Sequence, residues 1–570
     1  MGDDIRVEKN KGNDKTNKIQ TFTIQYPFPD TKENISNHSQ INPFSEMTRD
    51  QIITQALELH LQGKITEATE YYKYLIDQGF NDNRVFANYG SILSASGELE
   101  EAEIYLKKSI ELNPNVSIQY VNLGRVLMDL KKSEEAEIIL KKAIELNPEF
   151  IHSYNYLGNL LFSLGKLNES EIYIRKALEF SPDSADLYFN LSLILHQLGQ
   201  LEEAKEVSIK GLKMKPNNAI NYYNHSIIMK DLGKLKDAED FIKKAIKLRD
   251  DYPDALFLLS FIQMFQDDYF SGLKNYEFRF RIEKAVKLHS EPKIPKWDGK
   301  SLERGEKLLI ITEQGLGDTI HFMRYIPYLK HKGMDVLFCA QETLHDLIKE
   351  SGIDSNPLTP KQANLITKGK YFPLLSLPMY FGVTKDNPLV SDPYIAIRNE
   401  LIGKWENVLE QEKRPIVGIS WQGNPLMEQG SLIVRSIPLE TFSDLAKSDK
   451  YSFLSLQKGF GSEQLEDCSF KNKFVKCQNQ ICNTTNFLDT AAHIQNCDLI
   501  ITNDSCVAHL AAGMGKPTWV LLSCDVKWTW RYGLGETTFW YPSMKLFHQK
   551  ERGNWKEVMT RVLLELKHFL

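Results

Sequence analysis

An α-helical repeat solenoid followed by an α/β body of two lobes is the fold class this sequence predicts. Two observations carry the prediction. Between residues 49 and 286, small residues and prolines recur at a period of 34. After residue 306, short apolar runs alternate with longer amphipathic stretches, the pattern of parallel sheets with helices on both faces. At 570 residues the chain is also too long for one hydrophobic core.

Residues 1–47 are rich in Lys, Asn, Asp, Ser and Gln without periodicity and read as a disordered leader. The repeats follow. One small column runs Ala56, Gly90, Gly124, Gly158, Ser192, Ser226 and Ser260, and a second runs Ala68, Ala102, Ala136, Ser170, Ala204 and Ala238. Such columns let the first helix of a unit approach the second closely. Gly97, Gly165, Gly199 and Gly233 fall in the turn between them, and Pro114, Pro148, Pro182 and Pro216 separate the units. A 34-residue period with these columns is the tetratricopeptide signature. Seven units are expected over 49–286, starting at 49, 83, 117, 151, 185, 219 and 253, with the terminal ones degraded as caps.

The sixth position of successive units holds Asn88, Asn122, Tyr156, Asn190 and Asn224. On a concave face, an asparagine ladder would grip an extended acceptor peptide, because each amide both donates to and accepts from a peptide group. Asparagine simply tolerated in that helix is the plain alternative.

A linker over 287–305 contains Pro292, Pro295 and the Trp297-Asp298-Gly299 turn. An N-lobe over 306–400 and a C-lobe over 414–553 follow, then a C-terminal helix over 554–570 that is expected to cross back to the N-lobe. Strands are predicted at Leu308–Thr312, Asp335–Ala340, Ile416–Trp421, Ser452–Gln457, Asp498–Thr502 and Thr518–Leu522. Helices are predicted near Asp318–Lys332, Thr343–Ser351, Leu401–Gln411, Pro438–Lys447, Leu488–Gln495, Ser505–Gly515 and Trp555–Leu570.

Composition narrows the function classes. Apolar residues make up 42% and charged residues 25%, with a net charge of −6. That balance points to neither nucleic acid nor an anionic membrane surface. No signal-peptide core and no transmembrane run occurs in the sequence, so a cytoplasmic setting is expected. The 7 cysteines include no C-x-x-C, which argues against a disulfide framework and a zinc site. Cys477 and Cys482 lack a second pair. No metal and no cofactor is expected.

Chemistry is expected at strand ends. Gly315-Leu316-Gly317-Asp318 follows the first strand. Its glycines allow close approach of a ligand, and Asp318 is either a helix cap or a general base; Glu313 on the same turn is the alternative base. Asp504-Ser505-Cys506-Val507-Ala508-His509 opens a later helix whose start suits a diphosphate, with Ser505 and His509 on one face. A capped core helix with one buried histidine is the plain alternative there. Arg435, in the loop after Ile416–Trp421, suits a phosphate grip. Lys458 lies just after another strand. The donor-binding candidates are thus Gly315, Gly317, Arg435, Lys458, Asp504, Ser505 and His509.

Together with Trp421-Gln422-Gly423-Asn424, Arg435-Ser436-Ile437-Pro438 and Gly515-Lys516-Pro517, these motifs resemble the bacterial heptosyltransferase-type glycosyltransferases of GT-B fold. The tetratricopeptide fusion, the Trp297–Gly299 turn and Trp540-Tyr541-Pro542 are similar to a bacterial group that includes flagellin glycosyltransferases. The resemblance implies inverting, metal-independent transfer from a nucleotide sugar, and no D-x-D motif occurs. It implies Asp318 as base, Arg435 as the phosphate-neutralising residue, and Asp504, Ser505 and His509 as the donor motif. It departs from the family at Cys506 and in the apolar residues of 426–434. The leading expectation is a glycosyltransferase whose repeats select a protein acceptor. A lipid or polysaccharide acceptor, a non-catalytic scaffold and a sugar-nucleotide epimerase remain open.

Overall fold

The computed structural model describes residues 47–300, 302–425, 428, 435–524, 529–530 and 535–569. The predicted leader, Met47 excepted, and most of the 426–434 stretch lie outside the described residues. The chain divides into two compact units, one ending at Ile228 and one running from Met229.

Seven helix pairs form at the seven predicted starts. They are α1 Arg49–Leu61 with α2 Ile65–Asp77, α3 Asn83–Ser96 with α4 Leu99–Leu112, α5 Ser117–Asp129 with α6 Ser133–Leu146, and α7 Ile151–Ser163 with α8 Leu167–Phe180. α9 Ala185–Gln197 with α10 Leu201–Met214, α11 Ala219–Asp231 with α12 Leu235–Leu248, and α13 Pro253–Phe265 with α14 Tyr269–Tyr276 complete the set. The small columns act as expected. A Cβ on Gly124 would lie 2.6 Å from Leu140 Cδ2, and one on Gly158 2.6 Å from Ile174 Cδ1. Glycine there lets paired helices close until the facing branched side chain fills the gap.

The turn inside every pair carries one left-handed residue: Gly63, Gly97, Lys131, Gly165, Gly199, Gly233 and Asp267. Lys131, at φ 61°, bears the Cβ penalty that glycine avoids. Lys131→Gly is therefore expected to raise stability by about 0.5–1 kcal/mol, read as a higher urea midpoint. An unchanged or lower midpoint would contradict this account of the turn.

The α/β body contains two parallel sheets. β1 Lys307–Ile311 lies between β2 Asp335–Cys339 and β3 Lys370–Pro373. The second sheet runs β5-β4-β6-β7-β8, from β4 Ile416–Ser420, β5 Ser452–Ser455, β6 Leu499–Asn503, β7 Thr518–Leu522 and β8 Met544–His548. The six predicted strands are present. The sequence reading missed β3 and β8, which are edge strands with lysines among their few apolar residues; pairing with β1 and β7, more than their own pattern, makes them strands.

Three further expectations are corrected. The helix predicted over 318–332 is two, α15 Leu316–Phe322 and α16 Tyr325–His331. Pro327 sits in the first turn of the second, where its ring is tolerated, but a continuous helix would set it against the Met323 carbonyl. The helix predicted at 438–447 is two short 3₁₀ turns, Leu439–Phe442 and Leu445–Lys447. The C-terminal helix, Trp555–Phe569, does not cross to the first sheet. Its Val558, Met559, Val562 and Leu566 share a core with Trp519, Leu521 and Phe547 of the second.

The last repeat pair is built into the body. Met264, Phe265, Tyr269, Leu273 and Tyr276 of α13 and α14 belong to the same continuous core as β1, α15, α16 and one face of the second sheet. Among the described residues, no helix is long and apolar enough to cross a membrane.

Candidate active site

At the end of β1 the chain passes Thr312 and Glu313, both fully buried, and turns at Gln314, whose φ is +65°. Gly315 caps α15 in an extended conformation. Asp318 is therefore not the helix opener. It sits at the third helical position, and its Oδ2 accepts the Gly315 N–H at 3.1 Å. The side chain is half-buried and caps the helix by reaching back to its start, the N3 half of a capping box, since Gly315 has no side chain to return the bond.

Glu313 has a different environment. Its carboxylate is 0% exposed and pairs with the equally buried Arg279 at 2.8 Å. Burial pushes the Glu313 carboxyl up to about 7, against the pull of Arg279. Arg279 also donates to Ser376 Oγ at 2.7 Å.

The second motif follows β6. Asp504 is buried, and Ser505 is the N-cap of the helix Cys506–Gly513. Ser505 Oγ meets Thr502 Oγ1 at 3.1 Å and does not bond the helix's own first turn. The backbone at the start of that helix is thus not capped by this side chain. Burial pushes the Cys506 thiol up to about 11, so it is a neutral packing group.

These two motifs meet. A Cβ on Gly317 would lie 3.2 Å from His509 Cδ2 and 3.4 Å from Cys506 Cα. His321 of α15 stacks on His509 with centroids 4.8 Å apart, and Trp530 stacks on His509 at 4.6 Å. His509 Nδ1 lies 3.0 Å from the Tyr541 hydroxyl. At Gly317 the two strand-end turns are thus in close contact.

Arg435 reaches the same strand end. Its guanidinium lies 4.0 Å from Asp504 Oδ2 and 3.9 Å from Glu428 Oε1, and its carbonyl accepts from Asn503 Nδ2 at 2.9 Å. One cation, two carboxylates and a helix start thus converge at the ends of β4 and β6. Lys458 turns elsewhere. Its ammonium donates to the Ile481 carbonyl and to Thr484 Oγ1, and burial lowers its pKa.

The predicted asparagine ladder is largely buried. Asn88, Asn122, Asn190 and Asn224 are 2%, 4%, 8% and 6% exposed. Asn122 donates to Ser91 Oγ at 3.2 Å and Asn190 to Asn155 Oδ1 at 2.9 Å, linking one unit to its neighbour. Asn88 bonds the Arg84 carbonyl of its own helix.

Sequence reasoning missed Gln457 and Arg324. Gln457 Oε1 accepts from the Trp421 and Gln422 amides, both at 3.0 Å, and its Nε2 donates to the Gln422 and Phe460 carbonyls. It fixes the Trp421–Asn424 turn; a polar residue directly after a buried strand was the available signal. Arg324, 1% exposed, donates to the carbonyls of His321, Val390 and Trp540. Its interior position had no signal in a single sequence, where it resembled a solvated helix residue.

The sequence model of glycosyltransferase family 9 (heptosyltransferase) matches residues 461–522, which include the Asp504–His509 turn. Tetratricopeptide models match 84–116, 120–150, 151–184 and 173–206. The tetratricopeptide matches lie within α3–α10, and the family 9 match takes in β6, the turn after it and β7. The chain is 24% identical over 328 residues to Protein FlbA of Caulobacter vibrioides, a match covering 52% of each chain. It thus spans about half the length of that curated relative. Among solved structures, YrrB, described as a TPR protein with an unusual peptide-binding site, is 24% identical with a TM-score of 0.29, covering 33% of this chain and 98% of its own. A tetratricopeptide repeat protein from Parabacteroides merdae is 18% identical with a TM-score of 0.35, covering 41% of this chain and 93% of its own.

Proposed function

We propose that this chain transfers a glycosyl group from a nucleotide-sugar donor to an acceptor, by a single inverting displacement without a metal. The observation that supports it is the meeting of two turns from separate sheets, Gly315–Asp318 and Asp504–His509, at Gly317. In this reading the helix start at Ser505–Cys506 and the Arg435 guanidinium take the diphosphate, where backbone N–H groups, the helix dipole and a cation add. Asp504 orients Arg435, and His509 is held behind the helix start by His321, Trp530 and Tyr541. Lys458 acts at a distance, on the fold of the strand-end loop. Asp318 takes the acceptor proton as the acceptor oxygen attacks the anomeric carbon and the nucleoside diphosphate leaves. Glu313 cannot reach a substrate from its buried pair with Arg279, so it serves as an anchor.

The acceptor in this proposal is a protein or peptide, held by the repeats. The inter-unit hydrogen bonds of Asn122 and Asn190 leave the ladder a supporting role, with peptide contact falling to neighbouring side chains of the first helices.

The test is titration with a panel of nucleoside diphosphates, followed by product analysis with the matching nucleotide sugars. Binding of one diphosphate is expected, with Arg435→Ala weakening it about tenfold to a hundredfold, as loss of a charge-assisted hydrogen bond requires. Transfer should give a product of inverted anomeric configuration. Absence of binding to every diphosphate, with partner capture intact, would favour the non-catalytic scaffold. Conversion of the donor without acceptor would favour an epimerase.

A further inference from the structure

The turn that carries Asp318 is held from outside its own lobe. Gln314 Nε2 donates to the Tyr276 hydroxyl of α14 at 2.9 Å. Glu313, the preceding residue, is paired with Arg279, which lies in the 3₁₀ turn Glu277–Phe280 directly after α14. Arg279 contacts Glu277 at 2.5 Å, and Ser376 donates to the same Glu277 oxygen at 2.6 Å. The chain beyond the repeat adds a third hold. Leu288 forms an antiparallel bridge with Glu313, and His289 donates its N–H to the Thr312 carbonyl at 2.9 Å. Three consecutive residues at the end of β1 are therefore fixed by the last repeat and the segment after it. Gln314 needs such support, because a non-glycine residue at φ +65° persists only where its surroundings over-determine it.

We propose that Tyr276 and Arg279 of the last repeat are positioning residues for the Gln314–Asp318 turn. The last repeat is then part of the catalytic machinery as well as the end of the array. Tyr276 holds the Gln314 side chain, and Arg279 holds Glu313 so that β1 ends in one fixed direction. Together they set where the Asp318 carboxylate faces the acceptor. The catalytic consequence rests on the transfer reading above; the structural hold does not.

The experiment uses the full chain with Tyr276→Phe, which keeps the buried ring and removes the hydroxyl, and Arg279→Met. Lys385→Ala is the control. It removes the Lys385–Asp267 ion pair, 3.0 Å, which ties the same repeat to the body away from the turn. Hydrogen exchange is measured over residues 312–319. Tyr276→Phe is expected to speed exchange there about tenfold while Lys385→Ala leaves it unchanged. In a transfer assay, Tyr276→Phe should lower kcat about tenfold to a hundredfold, the scale of a small misplacement, with the donor KM and diphosphate affinity unchanged. Arg279→Met, if it folds, should exceed both effects. Unchanged exchange over 312–319 in Tyr276→Phe overturns the proposal. An inactive wild type with faster exchange in Tyr276→Phe supports the positioning and removes only the transfer reading. A raised KM with unchanged kcat overturns the catalytic consequence.

Discussion

Asp318→Asn is expected to lower transfer by about 10²–10⁴, the range for losing a positioned general base, while nucleoside diphosphate affinity stays within twofold of wild type. The substitution separates the two roles of this side chain. An asparagine oxygen still accepts the Gly315 N–H that Asp318 accepts at 3.1 Å, so α15 keeps its cap. What is lost is the basicity. Retained activity in Asp318→Asn would move the base elsewhere and leave Asp318 as a cap alone. Glu313→Gln completes the comparison. If Glu313 anchors and does not accept the proton, this variant keeps far more activity than Asp318→Asn. The reverse order would show that Glu313 reaches the acceptor despite its burial in this structure.

Acid should weaken the fold through His493, with the effect confined to a defined pH window. His493 is 0% exposed, and both ring nitrogens lack a hydrogen-bond partner. Its ring sits edge-on to Trp405, with centroids 4.2 Å apart. Burial first, then the Lys458 cation, holds its pKa down to about 3, with Asp489 opposing and Lys404 adding a smaller push. In the unfolded chain the imidazole titrates near ~6.5. The unfolded state therefore binds the proton first as pH falls. His493 contributes its full stability above about 6.5, and that contribution is lost as pH drops toward 3, at up to about 1.4 kcal/mol per pH unit. Denaturant unfolding between pH 7 and 4 should show this slope in the wild type and a shallower one in His493→Leu. Equal slopes would show that His493 gains partners or solvent in the folded protein.

The repeat array was almost fully legible. Its information is local and periodic: a small residue at a fixed position, a left-handed turn, a proline between units. Each unit repeats the same constraint, so Lys131 and Asp267 could replace glycine without hiding the turn. The interior strands β1, β4, β6 and β7 were legible for a related reason, since strands buried by helices on both faces are largely apolar along their length, and the edge strands β2 and β5 were legible from their own short apolar cores, Val336–Phe338 and Phe453-Leu454. The break between α15 and α16 is also encoded in the sequence by Pro327, but the surrounding apolar pattern continues through it and masks the stop.

Sequence alone determined which residues were chemically able to act: Asp318 on a strand-end turn, Arg435 in a loop, and Asp504, Ser505 and His509 at a helix start. It put Asp318 first as the base, on the family resemblance, and kept Glu313, five residues earlier, as the alternative. Tertiary structure decided between their environments, placing Glu313 against Arg279 out of water and leaving Asp318 half-buried at the helix start. It also decided that Lys458 turns away toward Ile481, that Asn122 and Asn190 bond within the array, and that the last repeat grips the turn carrying Asp318. The reason is physical. Periodicity and caps are set by neighbours along the chain, whereas burial, charge pairing and the direction of a side chain depend on residues such as Arg279 and Tyr276 that only folding brings alongside.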